Sequence, residues 1–226
     1  MTKFGFEAQF FCDCLTEAGV TPRRVLVIGC GEGAEPAHLA EATGATIVGV
    51  DLEVDRRWAR PGVHLLRADA RRLPFRDGAF DAVYCYHVLE HVPGPERAVA
   101  EARRALARSG AGYFGTPNRA RLVGYLGGRG TAREKLVWNL ADWGMRLRGR
   151  WSNAQGAHAG FAHAELARLL HASFAEVTPV DRAYYAGKYP RLAALWRFLF
   201  RIGIARLLAP SVYFRTRQGA VATPGL

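Results

Sequence analysis

Residues 25–33 read Val25-Leu26-Val27-Ile28-Gly29-Cys30-Gly31-Glu32-Gly33, an aliphatic run that ends in glycines at alternate positions. A short apolar run closed by a turn signal is the pattern of a buried strand. The glycines let the backbone turn sharply and approach a ligand without a Cβ clash, and a helix beginning behind them offers free N–H groups. Strand, glycine turn and helix together predict a cofactor loop of the nucleotide-binding type in an α/β fold. The loop alone leaves alternatives open. Gly29, Gly31 and Ala34 also satisfy the dinucleotide pattern G-x-G-x-x-G/A, and Asp51 follows at about the expected twenty residues. A tight turn that binds nothing is the bland alternative.

The surrounding pattern predicts strands over 24–28, 46–50, 63–67, 80–86 and 111–115, with helices over 35–42 and 95–107. Ala98, Val99, Ala102, Ala105 and Leu106 fall at helical spacing behind Pro95, which suits a first helical turn. Such alternation implies βαβ units and a mostly parallel sheet. After Asn118 the pattern changes to a loop over 124–130 and a basic, tryptophan-bearing helix over 132–148, read as an insertion at about 119–160. A helix over 162–171, strands over 174–181 and 211–217, and a long apolar helix with arginines over 191–208 complete the reading. The 226 residues, half of them hydrophobic, suffice for one domain without disulfides. No stretch has the roughly 18 uncharged apolar residues of a membrane span. The opening residues lack an apolar signal core, so a cytoplasmic protein is expected. Cys12, Cys14, Cys30 and Cys85 form no paired CxxC arrangement and suit a reduced interior; Cys12 and Cys14, without a second pair, fit a helix with two half-buried thiols better than a metal site.

Further motifs narrow the choice of cofactor. Asp51 ends the second strand in Gly49-Val50-Asp51-Leu52, where a carboxylate can accept from both hydroxyls of a ribose. Asp69-Ala70 follows the third strand, at the place of an adenine edge. Phe80-Asp81-Ala82-Val83-Tyr84-Cys85-Tyr86-His87-Val88-Leu89-Glu90-His91-Val92 is a fourth strand running into a polar elbow. In this order and spacing the sequence resembles the class I S-adenosylmethionine-dependent methyltransferases, in the group with small-molecule and lipid-type acceptors. The resemblance covers about residues 23–118 and continues more thinly through 158–166.

The resemblance implies a Rossmann-like, doubly wound seven-stranded sheet, mostly parallel with an antiparallel last strand, plus the inserted helical cap. It places Gly29, Cys30, Gly31 and Gly33 under the methionine and ribose parts of S-adenosylmethionine and Asp51 on the ribose. Leu52 then lies against the adenine, Asp69 and Ala70 at its edge, and the backbone near Cys85 and Tyr86 beside the methionine amine. One position departs from the family: Val27 stands where an acidic residue is usual. Methyl transfer needs the acceptor held close to the methyl group and a proton removed where required. His87, Glu90, His91 and His158 are expected at the mouth of the cleft. Three readings stay open for them: His91 or His158 as the base, a divalent metal site, or a structural elbow. A cofactor-binding scaffold without catalysis is the alternative function.

Charge divides unevenly along the chain. Residues 1–118 carry 14 basic and 15 acidic side chains, whereas residues 119–226 carry 17 and 5. Arginines among Trp138, Trp143 and Trp151 suit either a nucleic acid or a membrane surface. The stretch 192–208 is too apolar for nucleic acid and too often interrupted by arginine to span a bilayer. It points to a packed helix or an amphiphilic acceptor at a peripheral membrane site, such as the inner membrane face.

Overall fold

Every apolar residue of β1 (Arg24–Ile28) is buried, Val25 and Val27 in one core and Leu26 and Ile28 in the other. A strand covered on both faces belongs in the middle of a parallel sheet. β2 (Thr46–Asp51) and β3 (Val63–Arg67) extend the sheet to one side of it, and β4 (Phe80–Tyr86) and β5 (Leu106–Pro117) to the other, all parallel. β6 (Glu176–Pro179) forms the far edge, and β7 (Ser211–Arg217) enters between β5 and β6, antiparallel to both. The strand order is β3-β2-β1-β4-β5-β7-β6. This is the Rossmann-like, doubly wound α/β sheet with an antiparallel last strand. The computed structural model describes residues 3–31, 34–125, 130–155 and 159–218.

Helices cover both faces. On one side α1 (Lys3–Glu17) supplies Phe11 and Leu15, and α2 (Ala34–Thr43) supplies Leu39. α3 (Pro95–Ala105), with Val99 and Ala102, covers the other side. α4 (Ala132–Leu147) stands apart from both cores, and Leu166 and Leu170 of α5 (His163–His171) join α3. α6 (Asp181–Lys188), α7 (Ala193–Arg201) and the single turn α8 (Ala205–Leu208) return to the first core through Tyr184, Trp196 and Ala205. Across that core runs a ladder of tyrosine rings, Tyr84, Tyr113, Tyr213 and Tyr184, with successive centroids 5.4, 6.0 and 3.9 Å apart.

Several elements differ from the sequence reading. The first strands match it closely, α1 is the helix expected to carry Cys12 and Cys14, and α6 is an additional helix. The helix expected over 95–107 ends at Ala105, and β5 begins at Leu106 rather than Ala111, because Leu106 already pairs with Phe80 across an irregular register. The helix expected over 191–208 is divided: Gly203, at φ +81°, takes the left-handed conformation that ends helices, so α7 and α8 are separate. No helix among the described residues is long and apolar enough to cross a membrane.

Candidate functional site

Beside β1 the chain order reverses, β2 lying on one side and β4 on the other, so the connections behind them diverge and leave a crevice at the strands' carboxyl ends. A cleft of about 390 Å³ opens there, floored by Gly29 and Gly31 and walled by Asp51, Leu52, Asp69, Ala70, His87 and His91. It adjoins a second space of about 520 Å³ that shares Gly31 and Asp51 and reaches Asp55. These volumes lie within the roughly 300–1,000 Å³ of small-molecule and cofactor sites.

The glycine turn is clipped to β2, the N–H groups of Gly29 and Cys30 both donating to the Val50 carbonyl at 2.8 and 3.1 Å. Gly29 has φ +74°, and a Cβ there would stand 2.1 Å from Cγ2 of Val88. The elbow after β4 therefore rests directly on the turn after β1. Cys30 turns into the core beneath Gly49, and burial pushes its thiol up to about 12, so it is no nucleophile. Of the expected turn residues, Gly29 and Gly31 line the cleft; Gly33 lies outside the described residues.

Asp51 emerges from β2 with Oδ2 accepting from Gly31 N at 2.7 Å and Oδ1 from Glu53 N at 3.3 Å. Each carboxylate oxygen keeps a further lone pair for a ligand hydroxyl. Leu52, next in the chain, is an apolar side chain 61% exposed on the cleft wall. Asp69 faces the same cleft beside Ala70 and is held by Arg71, whose Nη2 donates to Oδ2 at 2.6 Å and whose Nε donates to Oδ1 at 3.0 Å. These bonds hold the Asp69 carboxyl below the usual carboxylate range. Sequence reasoning passed over Arg71, although its place two residues after Asp69 was a local signal.

At the end of β4 the side chains of Cys85 and Tyr86 leave the cleft. Cys85 is buried among the core residues beside Leu89, and the Tyr86 ring stacks on Tyr213 at 6.1 Å. The following residue, His87, does line the cleft, at φ +55°, a conformation rare for a side-chain-bearing residue. Its N–H donates to the Gly115 carbonyl at 2.8 Å, and Nε2 lies 3.1 Å from Ser211 Oγ. Ser211, 124 residues away, had no signal in the sequence. His91 lies half exposed on the wall, and His158 lies outside the described residues.

Between the two imidazoles sits Glu90, its side chain 1% exposed, with Oε1 4.0 Å from His87 Nδ1 and 3.9 Å from His91 Nε2. Oε2 has no hydrogen-bond partner among the described residues. Burial pushes the Glu90 carboxyl up to about 7 from an ordinary 4.5. The folded state therefore holds this proton more tightly than the unfolded state. That contribution to stability is complete below about 4.5 and is lost as pH rises towards 7. Urea unfolding of Glu90→Gln at pH 5 and pH 8 is expected to show the wild type losing about 1–3 kcal/mol more than the variant between the two; equal losses would remove this role from Glu90. Among the described residues no group of three or more His, Cys, Asp or Glu is disposed to hold a metal ion.

Residues 26–114 match the model of the methyltransferase domain family. A malonyl-[acyl-carrier protein] O-methyltransferase of Geobacter sulfurreducens is 34% identical over 197 residues, which is 82% of this chain and 67% of that protein. A ubiquinone biosynthesis O-methyltransferase of Aromatoleum aromaticum is 35% identical over 112 residues, 45% of this chain and 47% of that one. Other curated relatives are likewise matched over part of their length, from 27% to 52%. Among solved structures, a Haemonchus contortus phosphoethanolamine N-methyltransferase in complex with phosphomonomethylethanolamine and S-adenosylhomocysteine superposes with TM-score 0.55 at 17% identity, covering 92% of this chain and 52% of that one. That likeness is one of fold. The Geobacter relative carries more, because its identity extends over most of both chains: this protein belongs to the class I S-adenosylmethionine-dependent methyltransferases.

Proposed function

We propose that the protein transfers the methyl group of S-adenosylmethionine to an oxygen atom of a small amphiphilic acceptor. The observation that carries the reading is the convergence of Gly29, Gly31, Asp51, Leu52, Asp69 and Ala70 on one cleft at the switch point of the sheet. Asp51 receives the ribose hydroxyls, Leu52 covers the adenine face, and Asp69 and Ala70 meet the adenine edge. The backbone near Cys85 and Tyr86 flanks the methionine portion. Glu35, in the first turn of α2, accepts from Tyr84 OH at 2.6 Å, and Tyr84 is the cross-strand partner of Val27. That carboxylate stands in for the acid missing at Val27 and attracts the cofactor's ammonium.

When bound, the cofactor supplies a methyl carbon attached to a sulfonium. The chain's own tasks are to hold the acceptor oxygen in line and to take its proton. Alignment alone supplies several kcal/mol, and a positioned base contributes typically about 10²–10⁴-fold. His91 takes the base role on the cleft wall, with the Glu90 carboxyl 3.9 Å behind it, which stabilises the imidazolium once it is ionised, above about pH 7. His158 is the second candidate for that role. The oxygen acceptor is supported by the activities named for the Geobacter and Aromatoleum relatives.

Calorimetric titration with S-adenosylhomocysteine tests the cofactor site. Micromolar binding is expected, weakened at least tenfold in Asp51→Ala, since charge-assisted hydrogen bonds are worth about 1.5–3 kcal/mol. Glu35→Gln should weaken S-adenosylhomocysteine but leave 5′-methylthioadenosine, which has no ammonium, unaffected. Unchanged affinity in Asp51→Ala would remove the ribose assignment. Cofactor binding without methyl transfer to any fraction of a lipid and metabolite extract would favour the scaffold reading.

A further inference from the structure

α4 is amphipathic the wrong way round for a helix of a water-soluble protein. Its polar side, Asn139, Asp142 and Arg146, faces the body. Asn139 accepts from Gly124 N at 2.7 Å, Asp142 accepts from Tyr125 OH at 3.1 Å and lies 3.4 Å from Arg121 Nη2, and Arg146 donates to the carbonyls of Arg119 and Arg121. Trp151 lies under both guanidinium groups, at 4.4 Å from Arg146 and 4.9 Å from Arg121. This network fixes the rotation of the helix, and the apolar side is left outside. Leu136, Leu140, Trp143 and Leu147, one stripe at spacings of three and four, are 60, 62, 40 and 84% exposed.

The stripe continues beyond the helix. Trp143 Nε1 donates to the Leu122 carbonyl at 3.1 Å, and Leu122 N donates to the Leu207 carbonyl of α8 at 2.7 Å, so segment 122–123 joins α4 to α8. Leu122, Val123 and Leu207 are 38, 39 and 43% exposed. α7, just before α8, shows Leu195 and Phe198 to solvent while it buries Trp196.

The charges around these apolar side chains are of one sign. Arg133 and Arg148 are exposed at the two ends of α4, as are Arg197, Arg201 and Arg206 along α7 and α8. The acids of α4 are occupied: Glu134 closes a capping box with Thr131, and Asp142 is buried against Arg121; α7 and α8 contain none. Exposed leucines with half-exposed indoles, bordered by arginines long enough to reach headgroups, match the interface of an anionic bilayer. An acidic protein would satisfy the arginines but leave most of this aliphatic surface in water.

We propose that the outer face of α4, continued through Leu122, Val123 and α8, docks the protein on anionic membrane surfaces. This goes beyond the reading of the cleft and does not depend on it. The test is flotation of the purified protein with vesicles of phosphatidylglycerol and phosphatidylcholine, against vesicles of phosphatidylcholine alone. Partition to the anionic vesicles at low salt, a fall as salt rises, and a blue shift of the tryptophan emission are expected. Leu140→Glu with Leu147→Glu should lower the partition at least tenfold while S-adenosylhomocysteine binding, measured separately, stays unchanged. Absence of partition at low salt overturns the proposal. So does equal partition of the double variant, or a dimer in sedimentation that the double variant dissociates and that shows no vesicle binding.

Discussion

Gly29→Ala is expected to abolish measurable S-adenosylhomocysteine binding and to lower stability by about 3 kcal/mol, while the same change at Gly31 costs about 1–2 kcal/mol. Both glycines have positive φ, +74° and +49°, so alanine is strained at either. They differ in what surrounds them. A Cβ at Gly31 meets nothing within 4 Å, whereas at Gly29 it would penetrate Val88, and Val88 belongs to the elbow that carries His87 and His91. The elbow must lift off the turn, and the cleft lies between them. The double variant Gly29→Ala, Val88→Ala removes the contacts with the two valine methyls and leaves a tight Cβ–Cβ contact of 3.1 Å and the dihedral strain. It should recover about half of the lost stability in a urea titration. If Gly29→Ala alone binds S-adenosylhomocysteine with wild-type affinity, the close seating of elbow on turn has no part in forming the cleft.

A second large effect is expected at Asp142→Ala. Arg121 and Asp142 are each 6% exposed, and removing the carboxylate leaves a buried guanidinium without its countercharge, a loss of about 3–5 kcal/mol. The loss should be local. α4 takes its hydrogen bonds from segment 119–125, and neither apolar core includes it. Amide hydrogen exchange should therefore accelerate across 131–147 while β1 and β4 stay protected. Arg121→Met with Asp142→Leu, which removes both charges together, should restore most of the protection, as buried ion pairs exchanged for apolar pairs commonly do. Acceleration throughout the sheet would show that α4 is part of the global folding unit.

Much of the cleft lining was legible because its residues lie at or next to strand ends. Gly29, Asp51, Asp69 and His87 each follow an apolar run, and a parallel sheet brings all such ends to one edge. For Cys85 and Tyr86 only the backbone was placed beside this edge; their side chains turn to the two cores, and on this segment the cleft is lined from His87 onward. What stayed hidden depends on contacts distant in sequence. Ser211 holds His87 from the last strand, and Arg121 reaches Asp142 across 21 residues. α1 was legible only as a helix around Cys12 and Cys14, without its extent, and most of α6, residues 182–188, received no assignment. The basic helix over 132–148 was legible as a helix; its rotation was not, since an apolar stripe by itself predicts a face turned inward.

The position of β7 has a consequence for how the protein is made. Among the described residues β6 pairs in the sheet only with β7, and β5 exposes its outer edge until β7 arrives. On a ribosome the first five strands emerge early and can pair in order, but the sheet stays open at β5 until residues 211–217 have left the exit tunnel. Through that interval a flat, apolar strand edge is presented to other nascent chains, and α7, still without the Tyr213 side of its core, is loosely held. β7 is thus a latch that closes the sheet after its other six strands have been made, and chaperone demand should concentrate on chains halted between β6 and β7.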